Sequence, residues 1–155
     1  MASQSQAQSG RPELVITRIF NAPRELVFRM WVEREHMERW GGPKGLEFSV
    51  ITMDRRPGGA YRFRMREPNG TDHWSQGVCQ EIVPSERFVF TAGWTDADGN
   101  PTSPVTLVTL TFEDVGGKTK FTLRQTGFEN AAERDSHRTG YESTLDKLAE
   151  YLATL

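Results

Sequence analysis

Three histidines, one cysteine and a cluster of arginines are the first places to look for chemistry in this 155-residue chain. His36, His73 and His137 are scattered, with no H-x-x-x-H pair and no HExxH, so no metal site is expected. A lone cysteine excludes an intramolecular disulfide. Cys79 follows Gly77-Val78 in a strand-like stretch, which predicts a small buried hydrophobe and not a nucleophile. Asp96, Asp98 and Asn100 imitate the start of a calcium loop. Pro101 then stands where the loop needs glycine and Leu107 where it needs a closing glutamate, so a hairpin loop is expected. There is no G-x-S-x-G, no phosphate loop and no G-x-G-x-x-G. Arg55, Arg56, Arg62, Arg64 and Arg66 form the one basic concentration, and alternate arginines on a strand predict a solvated outer face.

Apolar walls with a few polar groups are the remaining chemistry, and they suit a ligand pocket. Alternation predicts inward side chains at Phe48, Tyr61, Phe63, Met65, Trp74, Phe90, Trp94, Val108, Leu110 and Phe112. Trp40 is expected to close one end. Tyr141 and Leu145 face the same space from a helix, with His137 one turn earlier at the mouth. A buried phenol needs a hydrogen-bond partner, so Tyr61 and Tyr141 are the positions where a ligand would be felt most.

These side chains need elements to hold them. Tyr141, Leu145, Leu148, Leu152 and Leu155 alternate at gaps of four and three, which predicts one amphipathic helix over 130–155, about 39 Å long. Asn130 with Glu133 forms its capping signal. Leu14 to Phe20 reads as a strand, followed by short helices from Pro23 to Val32 and Arg34 to Trp40. Six more strands follow: Leu46 to Met53, Ala60 to Arg66, His73 to Ile82, Phe88 to Trp94, Thr106 to Phe112 and Thr119 to Thr126. Strands joined by short turns imply an antiparallel sheet, with the helices on one of its faces. Residues 1–13 read as a disordered tail and 14–155 as one domain. A formal net charge of -2 argues against nucleic acid. No stretch suits a signal peptide or membrane insertion, so a cytoplasmic location is expected. Oligomeric state is not encoded in any of these patterns.

The order and spacing of several stretches resemble the START-like, helix-grip superfamily (SRPBCC). More narrowly, they resemble the bacterial branch homologous to the C-terminal domain of the activator of the 90-kDa heat-shock protein ATPase. The stretches are Ile16-Thr17-Arg18-Ile19-Phe20-Asn21-Ala22-Pro23, Trp40-Gly41-Gly42-Pro43, Arg56-Pro57-Gly58-Gly59-Ala60-Tyr61-Arg62-Phe63 and Gly77-Val78-Cys79-Gln80-Glu81-Ile82-Val83-Pro84. Thr126-Gly127-Phe128 leading into Gly140-Tyr141 completes them. The resemblance implies an α+β fold with a seven-stranded antiparallel sheet curled around the long C-terminal helix. It also implies a cavity between them that takes hydrophobic small molecules such as lipids, polyketides or aromatic compounds, with no cofactor. Gly41 and Tyr141 stand where members often carry tryptophan. A chaperone is the alternative partner that the resemblance implies. A cyclase or hydrolase working in the same cavity through Tyr61, Tyr141 and His137 is the alternative activity.

Overall fold

The computed structural model describes residues 11–155. The elements run β1 (Leu14–Phe20), α1 (Arg24–Val32), α2 (Arg34–Trp40), β2 (Glu47–Met53), β3 (Ala60–Arg66), β4 (Asp72–Val83), β5 (Arg87–Thr95), β6 (Thr106–Val115), β7 (Lys118–Thr126) and α3 (Ala131–Leu152). This is the expected α+β helix-grip order. The seven strands form one sheet in the order β1-β7-β6-β5-β4-β3-β2, every neighbouring pair antiparallel. The two strands made first are therefore the two edges of the sheet, and α1 and α2 carry the chain from one edge to the other.

Most of the expected tail lies outside the described residues. Of its last three, Arg11 donates to the Gly127 carbonyl at 3.3 Å and Glu13 pairs with Arg124 at 2.7 Å. The long helix starts as its capping signal predicts, with the Asn130 side chain accepting from the Glu133 amide at 2.9 Å. It stops at Leu152, three residues before the expected end. Leu155 is 57% exposed, so the apolar stripe closes one turn earlier than its spacing implies. Pro23 is the residue before the first turn of α1, and no side chain caps that helix.

The sheet alternates as its sequence demands. Phe88 and Phe90 of β5, Val108, Leu110 and Phe112 of β6, and Phe121 and Leu123 of β7 are all buried on the concave side. Under α1 the packing is solid. Phe28 meets Phe112 edge-on at 5.4 Å, and Trp31 stacks on Phe121 at 5.5 Å. Leu145 and Leu148 of α3 are fully buried in the same cluster.

Both flanks of α3 are fixed by side chains. Arg18 of β1 forks onto Glu142 and Asp146, each at 2.8 Å. On the other flank Lys147 donates to the carbonyls of Gly41 and Gly42 at 2.9 and 3.0 Å, just beyond the end of α2. These ties hold α3 from both sides beside the buried Leu145 and Leu148.

The outer face of β3 carries Arg62, Arg64 and Arg66, as the alternation predicts. They are half-buried and engaged. Arg66 makes a two-point contact with Asp72, at 2.7 and 3.0 Å, and the Arg62 guanidinium lies 4.5 Å from the Trp74 ring centroid. The 96–100 turn is closed from within: Asp96 accepts from the Asp98 and Asn100 amides at 2.9 Å and from the Asn100 side chain at 3.2 Å. No cluster of metal-ligating side chains occurs among the described residues.

Candidate ligand cavity

The solid core ends where large rings from the sheet stop reaching α3. A cavity of about 680 Å³ opens there, between β3, β4, β5 and the first half of α3. Its deep wall includes Trp31, Trp40, Phe48, Tyr61, Phe63, Met65 and Phe90, and its outer part Trp94, His137 and Phe128. From α3 come His137, Gly140, Tyr141 and Thr144, a stripe at three- and four-residue spacing beside the leucine stripe. One helix thus turns its leucines onto core and its smaller, more polar neighbours onto the cavity.

Most of the expected site residues border this space, but five are placed differently from a plain inward reading. Val108, Leu110, Phe112 and Leu145 do not line the cavity. They are at most 1% exposed and belong to the packed end beneath α1, because β6 crosses the solid half of the sheet. Trp74 touches the cavity rim, yet it pairs with Arg64 across β3–β4 and its ring sits under Arg62 on the outer face. The inward positions of β4 are its neighbours His73 and Ser75, opposite Met65 and Phe63.

The tyrosines differ in how they are satisfied. Tyr61 is 3% exposed and its hydroxyl donates to the Thr91 carbonyl at 2.8 Å. That carbonyl is reached because Gly77 has no side chain: a Cβ there would lie 1.8 Å from Thr91 O and 2.8 Å from the Tyr61 ring. The Tyr141 hydroxyl has no hydrogen-bond partner among the described residues. Burial pushes the pKa of both phenols well up, so both stay neutral donors. Removing the Tyr141 hydroxyl in Tyr141→Phe is expected to change folding stability by less than about 0.5 kcal/mol, because no internal bond is lost. Tyr61→Phe is expected to cost about 1 kcal/mol. Paired urea titrations of the two variants would show the difference.

His137 stands at the outer end, its ring 4.9 Å from Phe128 and 5.8 Å from Trp94. Its Nδ1 lies 2.9 Å from the Glu133 carbonyl oxygen. A carbonyl only accepts, so Nδ1 carries the proton and Nε2 is the acceptor of the neutral ring. His73 is engaged with Glu67 at the rim.

Polar groups outside the expected site residues also border the cavity, among them Gln125, the Trp31 indole and Arg55. Gln125 is 1% exposed. Its Nε2 donates to Thr106 Oγ1 at 2.8 Å, that hydroxyl donates to Ala92 O at 2.8 Å, and Gln125 Oε1 has no partner among the described residues. The Trp31 indole N–H is likewise buried and unpartnered. Alternation offered a signal for Gln125, which is the next inward position after Phe121 and Leu123. Arg55 also lines the cavity, which corrects its expected place on the solvated face. It lies in the turn before β3, where no periodicity fixes direction. Its Nε donates to the Trp31 carbonyl at 3.1 Å, and its guanidinium lies 5.0 to 5.7 Å from the ring centroids of Phe88, Tyr61 and Phe63.

At Gly41, one of the two positions where the resemblance implies tryptophan, the bulk comes from a strand. A Cβ on Gly41 would lie 2.4 Å from the Phe48 ring, so Phe48 fills that site from β2. Gly140 borders the cavity, and a Cβ added there would meet only the loop residue Pro43, at an ordinary 3.7 Å.

Comparison with known proteins agrees with this architecture. A crystal structure of a Chromobacterium violaceum protein superposes with a TM-score of 0.82 at 26% identity, covering 89% of this chain and 94% of that one. The AHSA1 protein of Silicibacter pomeroyi gives 0.82 at 24% identity, covering 92% and 99%. A solution structure from Arthrobacter aurescens gives 0.83 at 23% identity, covering 92% and 87%. No curated protein matches the sequence. The family model described as Activator of Hsp90 ATPase homolog 1-like protein matches residues 21–153, and the chain belongs to that family.

Proposed function

We propose that this protein binds a hydrophobic small molecule between the sheet and the first half of α3. The observation that carries this reading is the cavity itself: about 680 Å³ with aromatic walls, to which Tyr141 adds a hydroxyl that has no hydrogen-bond partner among the described residues. That volume lies within the range of small-molecule sites, and a wall of rings with a few convergent polar groups is their usual chemistry. The Tyr141 phenol, which burial keeps neutral, asks for an acceptor on the ligand. A lipid, polyketide or aromatic compound carrying a hydroxyl or carbonyl group meets that demand. Burying roughly 300 Å² of its apolar surface would supply about 7 kcal/mol before the costs of association.

The same packing supports residues 14–155 acting as one domain, since the core residues of helices and sheet form a single cluster. Native mass spectrometry of the purified protein tests the binding reading directly. A bound compound released on denaturation is expected. Titration with flavonoids, fatty acids and aromatic polyketides, read through Trp31, Trp40 and Trp94, extends the test. Flat titrations throughout, with no co-purifying compound, would overturn it. The family match supports a 90-kDa chaperone as the alternative partner. A pull-down with an ATPase assay addresses that reading, and no association at tens of micromolar would remove it.

A further inference from the structure

Arg55 is the group in the cavity wall that the binding of a merely hydrophobic compound leaves unexplained. Guanidinium is charged at every physiological pH, and a charge taken out of water normally has a carboxylate beside it. Arg55 has none among the described residues. The acid next to it in sequence, Asp54, is paired with Arg56 at 2.9 Å. The nearest candidate counter-ion is Cys79, whose Sγ lies 3.9 Å from Arg55 Nη1. Cys79 Sγ also lies 3.5 Å from the Asp54 carbonyl oxygen. A thiol can donate to that oxygen and a thiolate cannot, so the contact fits the neutral form. Ring faces of Tyr61, Phe63 and Phe88 surround the guanidinium and soften its burial without neutralising it. Burial accordingly draws the Arg55 pKa below its ordinary value. Nε is committed to the Trp31 carbonyl, which fixes the plane of the fork, while Nη2 has no hydrogen-bond partner among the described residues.

We propose that the ligand is an anion, a hydrophobic monocarboxylate whose acid group pairs with Arg55 at the cavity wall while its apolar body lies among the rings. This deepens the binding function proposed above and rests on it. A planar guanidinium held from one side and open on the other is the arrangement that takes a carboxylate in two-point contact. A chain or ring system behind the acid group would run from Arg55 past Tyr61 and Phe63, all of which line the same space. The charge is unfavourable in the empty protein and becomes favourable only when the acid enters, so selectivity for acids over neutral isosteres follows.

The test uses the full chain and two compounds with the same ring system, 1-naphthaleneacetic acid and 1-naphthaleneacetamide, titrated at neutral pH by calorimetry. The acid is expected to bind about tenfold or more tighter than the amide. In Arg55→Met, which keeps the stem and removes the charge, the ratio of the two affinities is expected to fall to about one. Arg55→Lys, which keeps a charge but not the fork, is expected to retain part of the preference. Equal affinities in the wild-type protein would overturn the anion proposal and leave the cavity reading standing. That comparison needs no variant, so it decides the matter even if Arg55→Met does not fold. An acid preference that survives intact in Arg55→Met would overturn the role of Arg55. Binding of neither compound at about 1 mM would overturn the anion proposal, while the cavity reading falls only if the native mass spectrometry and the wider titrations fail as well.

Discussion

Gly77→Ala is expected to cost about 3 kcal/mol or more of folding stability and to lower the melting temperature by about 10 °C. The added methyl would sit 1.8 Å from the Thr91 carbonyl oxygen and 2.6 Å from its carbon. Those are backbone atoms of the neighbouring strand and cannot swing aside as a side chain can. The strand pairing around Gly77 is already adapted to the close approach. Regular pairing of β4 with β5 stops at Gln76–Gly93 and resumes at Cys79–Phe90, and between them the Val78 amide donates to the Thr91 hydroxyl at 2.9 Å. The Thr91 carbonyl tips inward to receive the Tyr61 hydroxyl. Alanine would push it back, breaking that bond and moving the Tyr61 ring into the cavity. Urea unfolding measures the stability, and the ligand titrations above would show weakened binding in whatever fraction remains folded. A change below about 1 kcal/mol would mean that the two strands separate freely at this point.

Trp40→Ala should have a comparable or larger effect. Trp40 is fully buried at the end of α2, with its ring 4.7 Å from Trp31. Truncating a buried tryptophan costs about 3–5 kcal/mol. The indole N–H also donates to the Met30 carbonyl at 3.2 Å, and that oxygen would be left buried and unpaired. Domains of this size hold about 5–15 kcal/mol in total, so the variant is expected to be partly unfolded at 37 °C. Trp40→Phe restores most of the ring and loses only the donor, with an expected cost of about 1–2 kcal/mol. Because Trp40 also borders the cavity, the folded fraction of Trp40→Ala should accept bulkier ligands than the wild type. Thermal melts monitored by circular dichroism settle the first point and fluorescence titration the second.

The order of elements was readable because each had its own period. Alternation marked Tyr61, Phe63 and Met65, and the four-three spacing marked Tyr141, Leu145, Leu148 and Leu152. Most of the aromatic rings that border the cavity could be found the same way, since inward residues of a curled sheet face either core or cavity. Alternation does not say which of the two, and so it placed Val108, Leu110, Phe112 and Leu145 beside the others. The difference is set by how far along the sheet the helices reach, a tertiary property. Trp74 was misplaced by one residue of phase, which in a strand reverses the face. Arg55 was missed for a different reason. It sits in a turn, and turns have no period; only the three-dimensional path brings it under the Trp31 carbonyl. Gln125 was legible but passed over, because a polar residue at an inward position reads as a break in the pattern and not as part of a site.

The strand order of the sheet has a consequence for how the protein is made. Among the described residues β7 is the only strand that pairs with β1, with Leu14 opposite Gln125 and Phe20 opposite Thr119. On the ribosome the first strand synthesised must wait for about a hundred residues before its partner emerges, and α3 follows later still. Contacts so distant in sequence favour slow folding and leave a strand edge open in the meantime. A chain released early, after β6 but before β7, would expose two unpaired edges at once. Nascent chains of this protein should therefore depend on protection from aggregation until translation has passed Thr126.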